Sequence, residues 1–168
     1  MKFLCVALFV LLACGAMGAK SKSPKQQFVK AHKTKRKLHG TRKLGWDADI
    51  ATVAQKWCDY LRDNNLLEHS QGSGYGENLY KSWGTSSDGA ATRAVDSWYN
   101  EISDYDYAKP GFSMTTGHFT QVVWESSKKV GCGISTKDSE TWVCCNYEPP
   151  GNYGGQYANN VLPLKTVA

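Results

Sequence analysis

The 168-residue chain has little of what usually announces a function. Only four histidines occur, and none belongs to an HExxH motif. There is also no GxSxG elbow and no glycine motif for cradling phosphate, so the familiar local routes to zinc proteases, serine hydrolases and nucleotide enzymes are missing. No Asn-x-Ser/Thr triplet exists, and no N-linked glycan is expected. Internal repeats and low-complexity blocks are absent too. Acid is missing altogether from residues 20–43, which carry ten Lys or Arg. From Leu44 onward nine Lys or Arg face fifteen Asp or Glu, a net charge of −6. A basic leader therefore precedes an acidic body. Clustered like charge attracts counter-charged surfaces, so an anionic membrane is an expected partner of residues 20–43, against the plainer alternative of a solvated helix face. Aromatics do not interleave with these cations, and nucleic acid is not expected.

The apolar run FLCVALFVLLACGAMG after Lys2 ends in the small residues Ala16, Gly18 and Ala19. A charged start, a short apolar stretch and small residues at a cut site read as a secretory signal peptide over 1–19. The run is short for a bilayer span, and basic residues follow it. Secretion to the extracellular space is the expectation. Removal of that segment takes Cys5 and Cys14 with it. The four left are Cys58, Cys132, Cys144 and Cys145, and an even count in an exported chain implies disulfides with three possible connectivities.

SPKQQFVKAHKTKRKLHG reads as a helix capped by Ser23, with Pro24 first and Gly40 at its end. Phe28, Ala31 or His32, and Lys35 share its narrow apolar side, and Lys33-Thr34-Lys35-Arg36 resembles a dibasic processing site. Asp47 caps the clearest helix, where Ile50, Val53, Ala54, Trp57, Cys58 and Leu61 keep a 3.6-residue period. HSQGSGYGENLYKSWGTSSDG is Gly/Ser-rich and is expected to be mostly loop. Ala91, Ala94, Val95, Trp98 and Ile102 mark a second amphipathic helix, followed by the aromatic loop SDYDYAKPGF. KVGCGI and TWVCCNY read as two strands of a hairpin. Neighbouring strand residues face opposite ways, so Cys144 and Cys145 cannot both reach Cys132. One is expected to bond Cys132 and the other Cys58; these spacings leave the choice open. The Gly/Pro/Asn-rich tail is expected to wrap the surface.

Chemistry has few places to sit. His69 follows the main helix, Glu77 lies in GYGENLY, Glu101 follows Trp98-Tyr99-Asn100, and His118 opens a short helix in GHFTQVVW. Two imidazoles and carboxylates are the donor types of a zinc site, and such a site with an open position activates water. The bland alternatives are a helix-terminal histidine bonded to backbone, a glutamate holding a tight turn, and a solvated glutamate.

GHFTQVVW at 117–124, CNYEPPGNY at 145–153 and GENL at 76–79, in that order, resemble the CAP superfamily of cysteine-rich secretory, antigen 5 and pathogenesis-related class 1 proteins. The likeness runs from about Phe28 to Leu164. FVKAHKTKRKLHG is similar to the family's first helix, which argues against processing at Arg36. The single-domain layout and the closing NVLP resemble the Golgi-associated plant pathogenesis-related branch. The resemblance implies an α+β fold, a three-layer α-β-α sandwich around a small, mainly antiparallel sheet. The Golgi-associated branch contrasts with this chain's signal peptide, and the two readings together divide the chain into 1–19 signal peptide, 20–27 basic segment and 28–168 CAP domain. The resemblance also implies a cleft in which His69, Glu77, Glu101 and His118 converge and hold zinc or another divalent cation. By the same resemblance Cys132 bonds Cys145, which leaves Cys58 with Cys144. Trp142 departs from the aliphatic residue often found at the start of the CNY motif, and it suits a sheet face.

Three functions from different classes follow from the resemblance. One is a secreted module that binds a sterol or other lipid, with Tyr105, Tyr107 and Phe112 placed to receive it. Another is a metal-dependent hydrolase, a protease included, with Glu77 or Glu101 as general base. The last is an interaction protein of defence, venom or signalling, acting through surface loops as a monomer or weak dimer. The resemblance favours binding over catalysis.

Overall fold

The computed structural model describes residues 22–84 and 87–166; the expected signal peptide lies outside the described residues. Helix α1 spans Pro24–Leu38, and Ser23 and Gln26 close a reciprocal capping box at its start. It runs unbroken across the 27/28 boundary expected between a basic segment and the domain. Strand β1 (Gly45–Trp46) leads to α2 (Ala48–Asn64), where Asp47 accepts from the backbone N–H groups of Asp49 and Ile50. After a loop come β2 (Gly76–Trp83), α3 (Ala90–Asn100), a 3₁₀ turn (Glu101–Asp104) and α4 (Gly117–Val123). Strands β3 (Lys129–Lys137) and β4 (Glu140–Glu148) form the hairpin, and α5 (Tyr157–Asn160) is a single turn in the tail.

The sheet order is β1-β3-β4-β2, antiparallel except where β1 runs parallel to β3. One face packs on α2 through Ala54, Cys58, Leu61, Leu79, Trp142 and Cys144. The other carries Val143, Cys145 and Tyr147 into a larger core with α1, α3 and α4. The architecture is the expected three-layer sandwich. Because both faces of β4 are covered, its residues from Thr141 to Tyr147 are all buried.

Three expectations need correction. The Gly/Ser-rich stretch was expected to be mostly loop, yet Gly76–Trp83 pairs with β4 along its whole length. Its flanking glycines at 72, 74 and 84 take positive φ and bound the strand without interrupting it. In α1 the buried cation is Arg36, whereas Lys35 pairs with Asp96 at 2.7 Å. The bond between Cys58 and Cys144 is not formed: both are buried free thiols. Cys58 donates from Sγ to the Gly133 carbonyl at 3.7 Å, and burial together with the hydrogen bond that the Cys144 thiol donates to Cys58 keeps Cys144 neutral by pushing its pKa up. The two thiols meet as a hydrogen-bonded pair in a dry layer.

Cys132 and Cys145 stand directly opposite each other in the hairpin and are joined as expected. The glycines on either side of Cys132 have the reverse orientation. A Cβ on Gly131 would strike the α2 backbone at Ile50 and Ala51, and one on Gly133 would strike Gln55. KVGCGI therefore alternates a face that α2 lies upon with a face that carries the disulfide.

Two buried histidines fasten α1. His32 Nδ1 faces the Phe28 carbonyl at 2.9 Å, so that nitrogen carries the proton and Nε2 accepts from Tyr147 O–H at 2.9 Å. His39 repeats the scheme between the Leu162 carbonyl and Tyr99 O–H. Burial pulls the His32 pKa down to about 4 and also lowers that of His39. A depressed folded-state pKa means that the neutral ring stabilises the fold fully above pH 6.5, and that this contribution is lost as pH falls toward about 4. Urea unfolding is expected to lose on the order of 2 kcal/mol between pH 7 and pH 4.5 from His32 alone. Histidine NMR shifts provide the check: a His32 ring that protonates near pH 6.5 in the folded protein would refute the assignment.

Candidate functional site

The loop after α2 is held before it reaches His69. Asn65 caps the helix in the left-handed region, and Trp142 Nε1 and Trp57 Nε1 donate to the carbonyls of Leu66 and Glu68. His69 Nδ1 then lies 2.7 Å from Glu77 Oε1. Glu77, on the second position of β2, has a side chain only 6% exposed, while that of His69 is 60% exposed. The carboxylate also accepts from Ser70 N–H at 3.0 Å and Ser70 O–H at 2.8 Å. An ionised carboxylate only accepts, so Nδ1 is the protonated nitrogen and Nε2 is left for the cleft.

The same arrangement recurs on the other side. Glu101, at the α3 boundary, accepts from His118 Nδ1 at 2.6 Å. Its second oxygen takes the backbone N–H groups of His118 and Phe119 at 3.0 and 3.1 Å, which are unpaired donors of the first turn of α4. The His118 ring stacks on Trp98 with centroids 6.4 Å apart. Asn78 donates to the His118 carbonyl, and Asn152 donates to the Gly117 carbonyl while accepting from Thr120. GENL and PPGNY thus each supply a brace for the helix in GHFTQVVW.

Both histidines line one cleft of about 190 Å³, together with Glu77, Asn78, Phe112, Met114 and Asn152. Glu101 stands behind His118 and is not part of the lining. The expected four residues are therefore two histidine–carboxylate pairs. Among the described residues no group of three or more His, Cys, Asp or Glu is placed to hold a metal ion. The physical reason is that each carboxylate is turned toward an imidazole and nearby donors, which leaves two Nε2 atoms as the exposed ligand-type groups.

The aromatic loop divides differently from expectation. Tyr105 is buried against Phe119 and Tyr107, and so belongs to the core. Tyr107 is partly exposed, and Phe112 and Met114 are 60% and 84% exposed at the cleft edge. Sequence reasoning missed Asn78, Asn152 and Met114 as lining residues. The first two lie inside the quoted motifs, where they were legible; Met114 is a lone apolar residue in a polar loop, with no period to mark it.

A model of the cysteine-rich secretory protein family, CAP, matches residues 29–147. The chain belongs to the CAP family. PRY2 of Saccharomyces cerevisiae is 46% identical over 139 residues, 81% of this chain, and the chain spans 40% of that protein's length. The human Golgi-associated plant pathogenesis-related protein 1 is 38% identical over 86% of this chain and 98% of its own length. The crystal structure of NaASP2 with Zn2+ superposes at a TM-score of 0.69, covering 87% of this chain and 89% of that one. At 22% identity that likeness establishes the fold alone.

Within this CAP domain, Glu77 raises the His69 pKa through its hydrogen bond and its charge. A raised folded-state value gives stability that is complete below pH 6.5 and lost as pH rises through the folded pKa. The exposed ring limits the effect to less than about 1 kcal/mol. In chelator-treated protein, NMR titration is expected to place His69 above 6.5, and Glu77→Gln should lower it. An unchanged midpoint in that variant would show that the pair exerts no such hold.

Proposed function

We propose that this CAP domain is an extracellular, defence-type binding module whose cleft takes the polar end of a sterol or other lipid. The observation that carries the reading is the pairing of exposed Phe112 and Met114 with two buttressed histidines along one opening. At about 190 Å³ the cleft is smaller than the ~300–1,000 Å³ of pockets that enclose a drug-sized ligand. It suits a polar end and a first apolar stretch, with the remaining hydrocarbon lying on Phe112 and Met114. The human relative's name marks an association with the Golgi, so export to the extracellular space belongs to the same proposal. The basic exposed side of α1 is the surface for an anionic membrane.

The donor chemistry also suits a divalent cation. Nε2 of His69 and of His118 would hold zinc, while Glu77 and Glu101 keep each ring in the required tautomer. A bound ion there would add Lewis-acid affinity for a ligand's oxygen. A hydrolase would also need a free base. Each carboxylate already accepts three hydrogen bonds, which counts against that reading.

Two measurements test these proposals. A sterol and fatty-acid transfer assay is expected to lose about tenfold or more in the Phe112→Ser and Met114→Ser variants, since burying each side chain contributes about 1.5–3 kcal/mol. Equal transfer by wild type and both variants would remove the lipid reading. Calorimetry with zinc should show no binding in His118→Ala and about 10–100-fold weaker binding in Glu101→Gln. Undiminished affinity after loss of both histidines would end the metal proposal.

A further inference from the structure

The cations of the basic leader are not used alike. Lys35 pairs with Asp96 and Arg42 with Glu125. Three others, Lys33, Lys37 and Lys43, join Lys165 of the tail in lining one pocket of about 230 Å³ with Gly40 and Thr41. Among the described residues none of these four has a carboxylate within ion-pair distance. Nor are they consumed in finishing the helix. The last carbonyls of α1 are taken by backbone groups: Arg36 by His39 and Thr41, Lys37 by Gly40, and Leu38 by Lys165.

The pocket is also assembled across the chain. The Lys165 N–H donates to the Leu38 carbonyl at 2.8 Å, which brings the tail alongside the end of α1. The Lys165 side chain then lies over Gly40, in space that a Cβ there would fill. Gly40 has φ of 73°, so the same residue makes the turn and opens the seat for the fourth ammonium. Bringing four like charges together opposes folding unless an anion offsets it.

We propose that this pocket binds a compact anion carrying two or more phosphate groups, either free or as a lipid headgroup. An ammonium is a strongly hydrated point charge with three rotatable donors, suited to tetrahedral oxyanions, whereas planar carboxylates are better matched by the arginine fork. Four such groups call for a multiply charged partner. Continuing outward, Lys25 and Lys30 line a neighbouring groove that shares Lys33 with the pocket, along the exposed side of α1. A membrane carrying the headgroup would meet that side. The inference rests on reading residues 20–43 as an anion-facing surface, and narrows it to one pocket and one chemistry.

Calorimetry of the full chain with tripolyphosphate tests the pocket. Binding is expected at moderate salt, weakened by about tenfold or more in Lys37→Glu and in Lys165→Glu, and unaffected by Lys56→Glu on α2. Gly40→Asn keeps every charge and tolerates the left-handed backbone, yet its Cβ displaces Lys165; it too should weaken binding several-fold. No tripolyphosphate binding, equal losses in all three lysine variants, or full binding by Gly40→Asn would each overturn the proposal. A preference for heparin without phosphate binding would also overturn it. Vesicles separate the sources and the two readings. Tighter binding to phosphatidylinositol bisphosphate than to phosphatidylserine at matched charge assigns a headgroup, whereas tripolyphosphate binding without vesicle binding assigns a free anion and refutes the membrane surface alone. Phosphatidylserine binding without tripolyphosphate binding keeps that surface and removes the pocket.

Discussion

A buried guanidinium without a carboxylate partner ties the larger core together. Arg36, fully buried, donates to the carbonyls of Arg42, Val122, Trp124 and Ser127. Burial lowers its pKa to about 10, so it stays charged at neutral pH. The four acceptors come from the turn after α1, the end of α4 and the segment entering β3. Desolvating a cation costs several kcal/mol, and hydrogen bonds from four of its five N–H groups make the position tolerable. Removing the side chain would strand carbonyls in three places at once, so α1, α4 and the hairpin depend on it together. His32 and His39 support the same helix as neutral rings, each spanning a carbonyl and a tyrosine hydroxyl.

That frame explains why the cleft has its particular chemistry. Glu101 bonds both the first backbone donors of α4 and the His118 ring, so one carboxylate positions the helix and sets the tautomer. Glu77 does the corresponding work for His69 through Ser70 and the ring. The glutamates act through the imidazoles, and the open atoms are two nitrogens beside an apolar rim. In the cleft both Glu77 and Glu101 are thus occupied in holding a ring and nearby backbone or hydroxyl donors.

Much of the fold was legible. The period of Ile50, Ala54, Cys58 and Leu61, the caps Ser23 and Asp47, and the alternation within KVGCGI and TWVCCNY all reflect local stereochemistry, and the structure follows them. Strand β2 was hidden because glycine and serine dominate its surroundings and its partner lies more than fifty residues away. Arg36 was illegible as a buried residue for a similar reason: in a run of lysines, nothing local shows which cation finds four carbonyls.

The site divides along the same line. The sequence by itself determined the family, the two cleft histidines and the glutamate candidates, since residue identity and motif order suffice for those. Only the tertiary structure decided that the glutamates orient rings, that Tyr105 packs inward while Phe112 and Met114 face out, and that Cys58 and Cys144 remain thiols. It alone brought Lys165 over Gly40 to join the lysines of α1. Local preference is written in neighbouring residues, whereas the direction of a side chain and the company it keeps depend on segments that meet only after the chain has folded.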